Sequence, residues 1–419
     1  MDRLRVRAYN VGFGDAFLVS FPEQTPGGGA EMRHILIDVG SVSGGSGAYG
    51  TVVANVLEEL DGQPLDLYVM THEHLDHVQG LLHAEKKTYT AQEDELCQKL
   101  GTRYAWLSAS AEKSYYDNHP DAKKKHMAFL KDYKAIHRYL TALRSSPEAF
   151  PPEVEALWRN NALWMNPSPR KTDDCVGYLR DLAEAENTFY VHREFDPQGH
   201  HPFREATIEI WAPEENTADY YGTFKPMAMA MGLTPPPEGS RKRPSVTELL
   251  PPAGVDAGAF YNLIEARRGY VENLLAIDKA ANETSIVLCL EWRGWRLLFP
   301  GDAEERSWMT MQREGVLKPV HFLKVGHHGS HNATPCAEIL EEVFPQDRPD
   351  GRLRSAVVSY GMRTKDDGTL AGVYPGVPDP ATIAIIEQRC DRLYDLYREK
   401  QPGEYIDIEF QDRAAHDSL

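Results

Sequence analysis

At 419 residues the chain is long enough for one large domain with insertions or for two, and its 42% hydrophobic and 26% charged residues are those of a soluble globular protein. No apolar run approaches the ~18 residues of a membrane span, and "MDRLRVRAYN" has no apolar leader core, so the expectation is a cytoplasmic protein with no membrane partner. A net charge of −18 disfavours nucleic acid as a partner unless a local basic patch serves it, and five scattered cysteines without a C-x-x-C argue against a disulfide framework or a zinc ribbon.

Strand signals dominate the start. "LRVRAYNVG" alternates, "DAFLVSFP" follows a Gly-Phe-Gly turn, and "HILIDVG" is a nearly continuous apolar run. "SVSGGSGAYG" reads as a loop, and "TVVANVLEEL" as a helix with Thr51 as N-cap. "LDLYVMT" is a buried strand, and "RYAWLSAS" another. Residues 112–204 then read as a predominantly helical insertion, with apolar spacing at Phe129, Tyr133, Ile136, Leu140 and Leu143. "ATIEIWAP" returns to strand, and residues 214–281 read as a second insertion, rich in proline.

From residue 284 the strand pattern resumes within what is read as a single domain, 1–419. "TSIVLCLEW" and "WRLLFPGDA" form a hairpin about Arg293-Gly294, and "AEERSWMTMQREG" is a helix. The strand "HFLKVGHHGS", a helix from Pro335, the strand "SAVVSYG", the helix "PATIAIIEQRC" and the strand "EYIDIEF" complete the chain. Two strand-rich halves with helices in each predict an α/β sandwich of two sheets covered by helices. The basic runs at Lys123–Lys125, Arg241–Arg243 and Arg267–Arg268 read as solvated faces.

The chemistry concentrates at "THEHLDHVQG", where His72, His74, Asp76 and His77 fall within six residues at the end of a buried strand. On extended chain, positions i, i+2 and i+4 project to one side, so His72, His74 and Asp76 can converge, with His77 turning away as a helix begins. Imidazole and carboxylate suit zinc, manganese or iron(II), and four such groups exceed what one ion takes from so short a segment. Two divalent ions are therefore expected, Zn2+ first and Mn2+ as the alternative. Asp302 in "LLFPGDAEE", otherwise a helix N-cap, and His327, His328 and His331 in "GHHGSHN" also follow apolar strands and can complete a cage.

The order of "NVGFGDAFLV", "ILIDVG", "LYVMTHEHLDHVQGL", "TSIVL", "LLFPGDAEE" and "LKVGHHGSH" resembles the metallo-β-lactamase superfamily, above all its ComEC-type soluble hydrolase branch and stand-alone relatives. The matched blocks cover about half the chain. The resemblance implies a four-layer αββα sandwich with His72 and His74 on one metal, Asp76 and His77 on a second, and Asp302 bridging. His327 or His328 would complete the second metal, with His327 taken as ligand and His328 as a catalytic group beside Asp76 and Asp302. It also implies that Asp38 supports the ligands from behind and that Asp15 shapes the pocket. Asn282 stands where the superfamily often has a further histidine, and His200 and His201 are loop residues that would have to fold back to replace it. Lys324, Ser330 and His331 lie near enough in sequence to touch a phosphate.

Two adjacent metals lower the pKa of a water between them and clamp both oxygens of an ester, which suits a phosphodiester in a nucleic acid or a small molecule. The same site would serve a lactone, thioester or other carboxylic ester. A non-catalytic subunit that binds a protein partner through the insertions is the third reading, against which the intact cluster argues.

Overall fold

The computed structural model describes residues 2–41, 46–82, 100–128, 172–221, 279–348, 350–364, 370–373 and 376–411. In chain order the first strands are β1 (Arg3–Tyr9), β2 (Ala16–Gln24), β3 (Ala30–Val39), β4 (Leu65–Met70), β5 (Thr102–Ser108), β6 (Thr188–Val191) and β7 (Ala206–Ala212). They are followed by β8 (Val287–Trp292), β9 (Trp295–Phe299), β10 (Phe322–Lys324), β11 (Ser355–Val358), β12 (Met362–Thr364), β13 (Leu370–Gly372), β14 (Arg392–Asp395) and β15 (Tyr405–Gln411). The longer helices are α1 (Ser46–Leu60), α2 (Leu75–Leu82), α3 (Thr172–Arg180), α4 (Glu305–Arg313), α5 (Ala337–Val343) and α6 (Pro380–Glu387).

Two mixed sheets result. The first runs β15-β1-β2-β3-β4-β5-β6, antiparallel as far as β3 and parallel from β3 to β6. The second runs β14-β11-β10-β9-β8-β7, parallel from β14 to β9 and antiparallel beyond. Side chains on alternate positions of both sheets, among them Val6, Phe17, Ile37, Val69, Leu288, Leu297 and Ile408, share one buried cluster and bind the sheets face to face. The opposite face of the first sheet meets Val52, Val56 and Leu60 of α1, Val78 of α2 and Val176 of α3. That of the second meets Trp308 and Met311 of α4, Leu340 of α5 and Ile386 of α6. The α/β sandwich expected from the strand and helix pattern is therefore what the chain forms.

Several boundaries differ from expectation. α1 begins at Ser46, five residues before the predicted cap Thr51, because Ala48 and Tyr49 are buried and extend the apolar face of the helix through two glycines. Within the stretch predicted to be helical, Thr188–Val191 instead pairs parallel with β5 as an edge strand, and residues 129–171 of that stretch lie outside the described residues. Most of the Pro-rich segment, 222–278, does too. The hairpin turn is at Arg293-Gly294, both with φ near +50 to +80° as a two-residue turn between antiparallel strands requires. Among the described residues no helix is long and apolar enough to cross a membrane.

Candidate metal centre

The ends of β3, β4, β9, β10 and β11 meet at one edge of the sandwich, the usual place for a site in parallel-stranded sheets. His72 leaves β4, and α2 begins at Leu75, so Asp76 and His77 lie in a helical first turn. The convergence is thus made by a strand–turn–helix: β4 ends at Met70, and the chain bends at Glu73 before α2. The His74 carbonyl accepts from the His77 and Val78 amides and starts the helix. The approach of neighbouring backbone is close: Asp15 N–H donates to the Asp76 carbonyl at 3.1 Å, and Gly40 N–H to the Asp15 carbonyl at 3.1 Å. A Cβ on Gly40 would overlap the Asp76–His77 peptide, so that position requires glycine.

Asp302 is the hub. It is fully buried, and the N-cap of α4 is Glu304, not Asp302. Asp302 Oδ2 lies 3.2 Å from His77 Nε2, 3.5 Å from His328 Nε2, 3.9 Å from His327 Nε2 and 4.0 Å from His72 Nε2. Around it, Asp76, His77, Asp302 and His328 form one group with ligand atoms close enough to hold an ion. His328 Nε2 is 3.1 Å from Asp76 Oδ2, while Phe13 packs on its ring and the Ser359 carbonyl lies 3.0 Å from its Nδ1. On the other side His72 Nε2 and His74 Nδ1 are 3.0 Å apart.

Of the two histidines of "GHHG", either of which the sequence left open as a ligand, His328 falls within the group formed by Asp76, His77 and Asp302. His327 is set back with its Nδ1 3.7 Å from Glu304 Oε1 and 3.5 Å from Asn282 Nδ2. Both have φ between 43° and 54°, and this left-handed turn aims consecutive side chains at different partners. Asp38, φ 53°, supports the centre from behind: its Oδ2 is 2.8 Å from His77 Nδ1 and accepts from Thr71 Oγ1, and its Oδ1 accepts from Thr71 N–H. Asp15 is buried beneath the cluster, bonded to Ser359 Oγ and Lys324.

Other expectations are corrected. His331 has a side chain 84% exposed beside Asp379, and buried Ser330 serves the turn through its backbone, so neither joins the cluster. Lys324 is buried, not poised for a phosphate. His200 and His201, as the sequence reading favoured, do not fold back to the cluster: His201 stacks on Phe203 and His200 packs on Phe189. Thr71, Ser359 and Glu304 were not foreseen. Thr71 directly precedes His72, and a lysine inside the apolar run "FLKV" signals a buried partner; Ser359 and Glu304 carry no local signal.

Electrostatics follow from this crowding. Burial holds His72 well below the usual imidazole range and His74 down at about 4, which favours the neutral form of both. Burial also opposes charge on His77, but the carboxylates of Asp302, Asp38 and Asp76 outweigh it and raise that imidazole well above its ordinary value. Asp302 is pulled far down against burial by His77, Lys324 and His328. Asp76 is lowered likewise by His77 and His328, and Asp38 is raised by burial.

The donor set fits divalent ions. Four imidazole nitrogens surround Asp302 Oδ2 at 3.2 to 4.0 Å, and only that of His77 is within hydrogen-bond reach, an open spacing that leaves room for a cation among them. Among the described residues, buried His74 Nε2 and Asp76 Oδ1 have no hydrogen-bond partner, a costly state that a cation or its bound solvent relieves. The chain matches no protein-family model and no curated protein.

Proposed function

We propose that the protein is a metal-dependent phosphodiesterase with a metallo-β-lactamase-type αββα sandwich. The observation that carries this reading is the buried convergence of four histidines on Asp302 Oδ2, with Asp76 alongside. His72 and His74, with Asp302 and His327 nearby, would hold one divalent ion; Asp76, His77, Asp302 and His328 would hold the other. Bound there, the ions supply Lewis-acid polarisation of an ester and activation of water.

The residues do the rest. Asp38 fixes the His77 tautomer by accepting from Nδ1, which turns Nε2 into the cluster. Asp76 Oδ1, free of any hydrogen bond among the described residues, is the acceptor for a proton from the attacking water. Buried carboxylates dominate the centre: Asp15, Asp38, Asp76 and Asp302, with buried Glu304 beside His327, against the ammonium of Lys324. Divalent ions held there would attract the charged oxygens of an anionic ester more strongly than those of a neutral one. The overall charge of −18 favours a small phosphodiester over a nucleic-acid polymer.

Metal analysis of the purified chain should find two equivalents of zinc or manganese. Bis-p-nitrophenyl phosphate should be hydrolysed faster than p-nitrophenyl acetate, and His72→Ala and Asp302→Ala should bring the rate to background. No bound metal, or activity indifferent to both substitutions, refutes the reading; faster cleavage of the carboxylic ester transfers it to that class.

A further inference from the structure

Lys324 ends β10 within the apolar run Phe322-Leu323-Lys324-Val325, yet it is only 1% exposed. Its Nζ lies 2.5 Å from Asp15 Oδ2 and 3.2 Å from Asp302 Oδ1, and donates to the Gly301 carbonyl at 3.0 Å. All three N–H directions are thus occupied by protein, and none is left for substrate. The two oxygens of Asp302 are divided as a result: Oδ1 faces the ammonium, and Oδ2 faces the ring nitrogens of His77, His328, His327 and His72. The other end of the link is equally held, since Asp15 bonds to Ser359 Oγ and its amide donates to the Asp76 carbonyl.

We propose that Lys324 is a positioning residue of the metal centre, fixing Asp302 so that the single atom Oδ2 is offered to both ions. The inference rests on reading the cluster as a metal centre. A carboxylate with two free oxygens can turn and chelate one ion; with Oδ1 tied to an ammonium, only Oδ2 remains to be shared. This role opposes the plain Coulomb expectation. A positive charge beside two cations repels them, so its removal should tighten their binding. Positioning requires the reverse.

The experiment is a zinc titration of the metal-stripped full chain against a chromophoric chelator, for wild type and Lys324→Met, with near-ultraviolet circular dichroism to establish folding. Wild type should take up two equivalents, and Lys324→Met should bind one of them at least about 10-fold more weakly. Unchanged or tighter binding by folded Lys324→Met overturns the positioning role and leaves the metal centre standing. A wild-type chain that binds no zinc overturns the metal reading itself, and this inference with it. If Lys324→Met does not fold, Lys324→Arg keeps the buried charge without the compact ammonium and carries the same comparison: a similar loss is expected, and wild-type affinity overturns the role.

Discussion

At Asp38 one carboxylate organises three donor groups on two neighbours. It accepts from the Thr71 amide and hydroxyl and from His77 Nδ1, while its own backbone is left-handed. Asparagine tolerates that conformation, so Asp38→Asn tests the hydrogen bonds and not the backbone. One of its two terminal atoms becomes a donor, and either the Thr71 amide or the His77 tautomer must give way. We expect metal affinity to fall by roughly 10- to 100-fold with little change in fold, measured by chelator competition. At this scale the sequence was informative where ligand-type residues sit beside one another, as at His72, His74, Asp76 and His77. It signalled, through the apolar run around Lys324, that the lysine has a buried partner, but not that the partner is Asp15 just before β2 in the other sheet, nor which of His327 and His328 joins the cluster. Adjacent residues with positive φ send their side chains apart, and no spacing rule for strand or helix describes that turn.

Elements place the centre by ending where they do. β3 and β4 run parallel and deliver Asp38 and His72 side by side; β9, β10 and β11 do the same for Asp302, His328 and Ser359. Each was readable as an apolar run followed by a polar residue. The start of α1 and the strand nature of β6 were not, because glycines at 47 and 50 imitate a loop and an edge strand of four residues has too little pattern. Gly40, just after β3, packs its backbone directly on the first turn of α2. Gly40→Ala must push the Asp76–His77 peptide aside, and should cost about 3 kcal/mol in urea unfolding together with part of the metal affinity. Gly62→Ala, where a Cβ meets open space but φ is +77°, separates backbone strain from overlap: it should lose stability and keep metal affinity.

For the molecule as a whole, ion binding and protonation are the levers on stability. An ion bound only by the folded chain stabilises it, so chelation should lower Tm, by an amount equivalent to about 3 kcal/mol when the ion is near 100 times Kd. His34, buried on β3 with Nδ1 3.0 Å from Ser20 Oγ, is held down at about 4 by desolvation. A depressed folded-state value means the unfolded chain takes the proton first. His34 therefore contributes stability that is present above about pH 6.5 and is lost as pH falls toward about pH 4, up to about 3 kcal/mol. His34→Asn should flatten that part of the stability profile in urea titrations; an unchanged slope would refute the assignment.

The pairing of β15 with β1 has a consequence for how the chain is made. Arg3 lies opposite Gln411, so β1 gains its outer neighbour only once β15, far along the sequence, has been synthesised. Until then β1 has a free edge of unpaired amides and carbonyls, and its alternating apolar face lacks Ile406, Ile408 and Phe410. A chain ended before Tyr405 would keep that edge open for good. It should self-associate through β1 even though every candidate metal ligand is present, which makes β15 a safeguard of solubility set far along the sequence from the chemistry it protects.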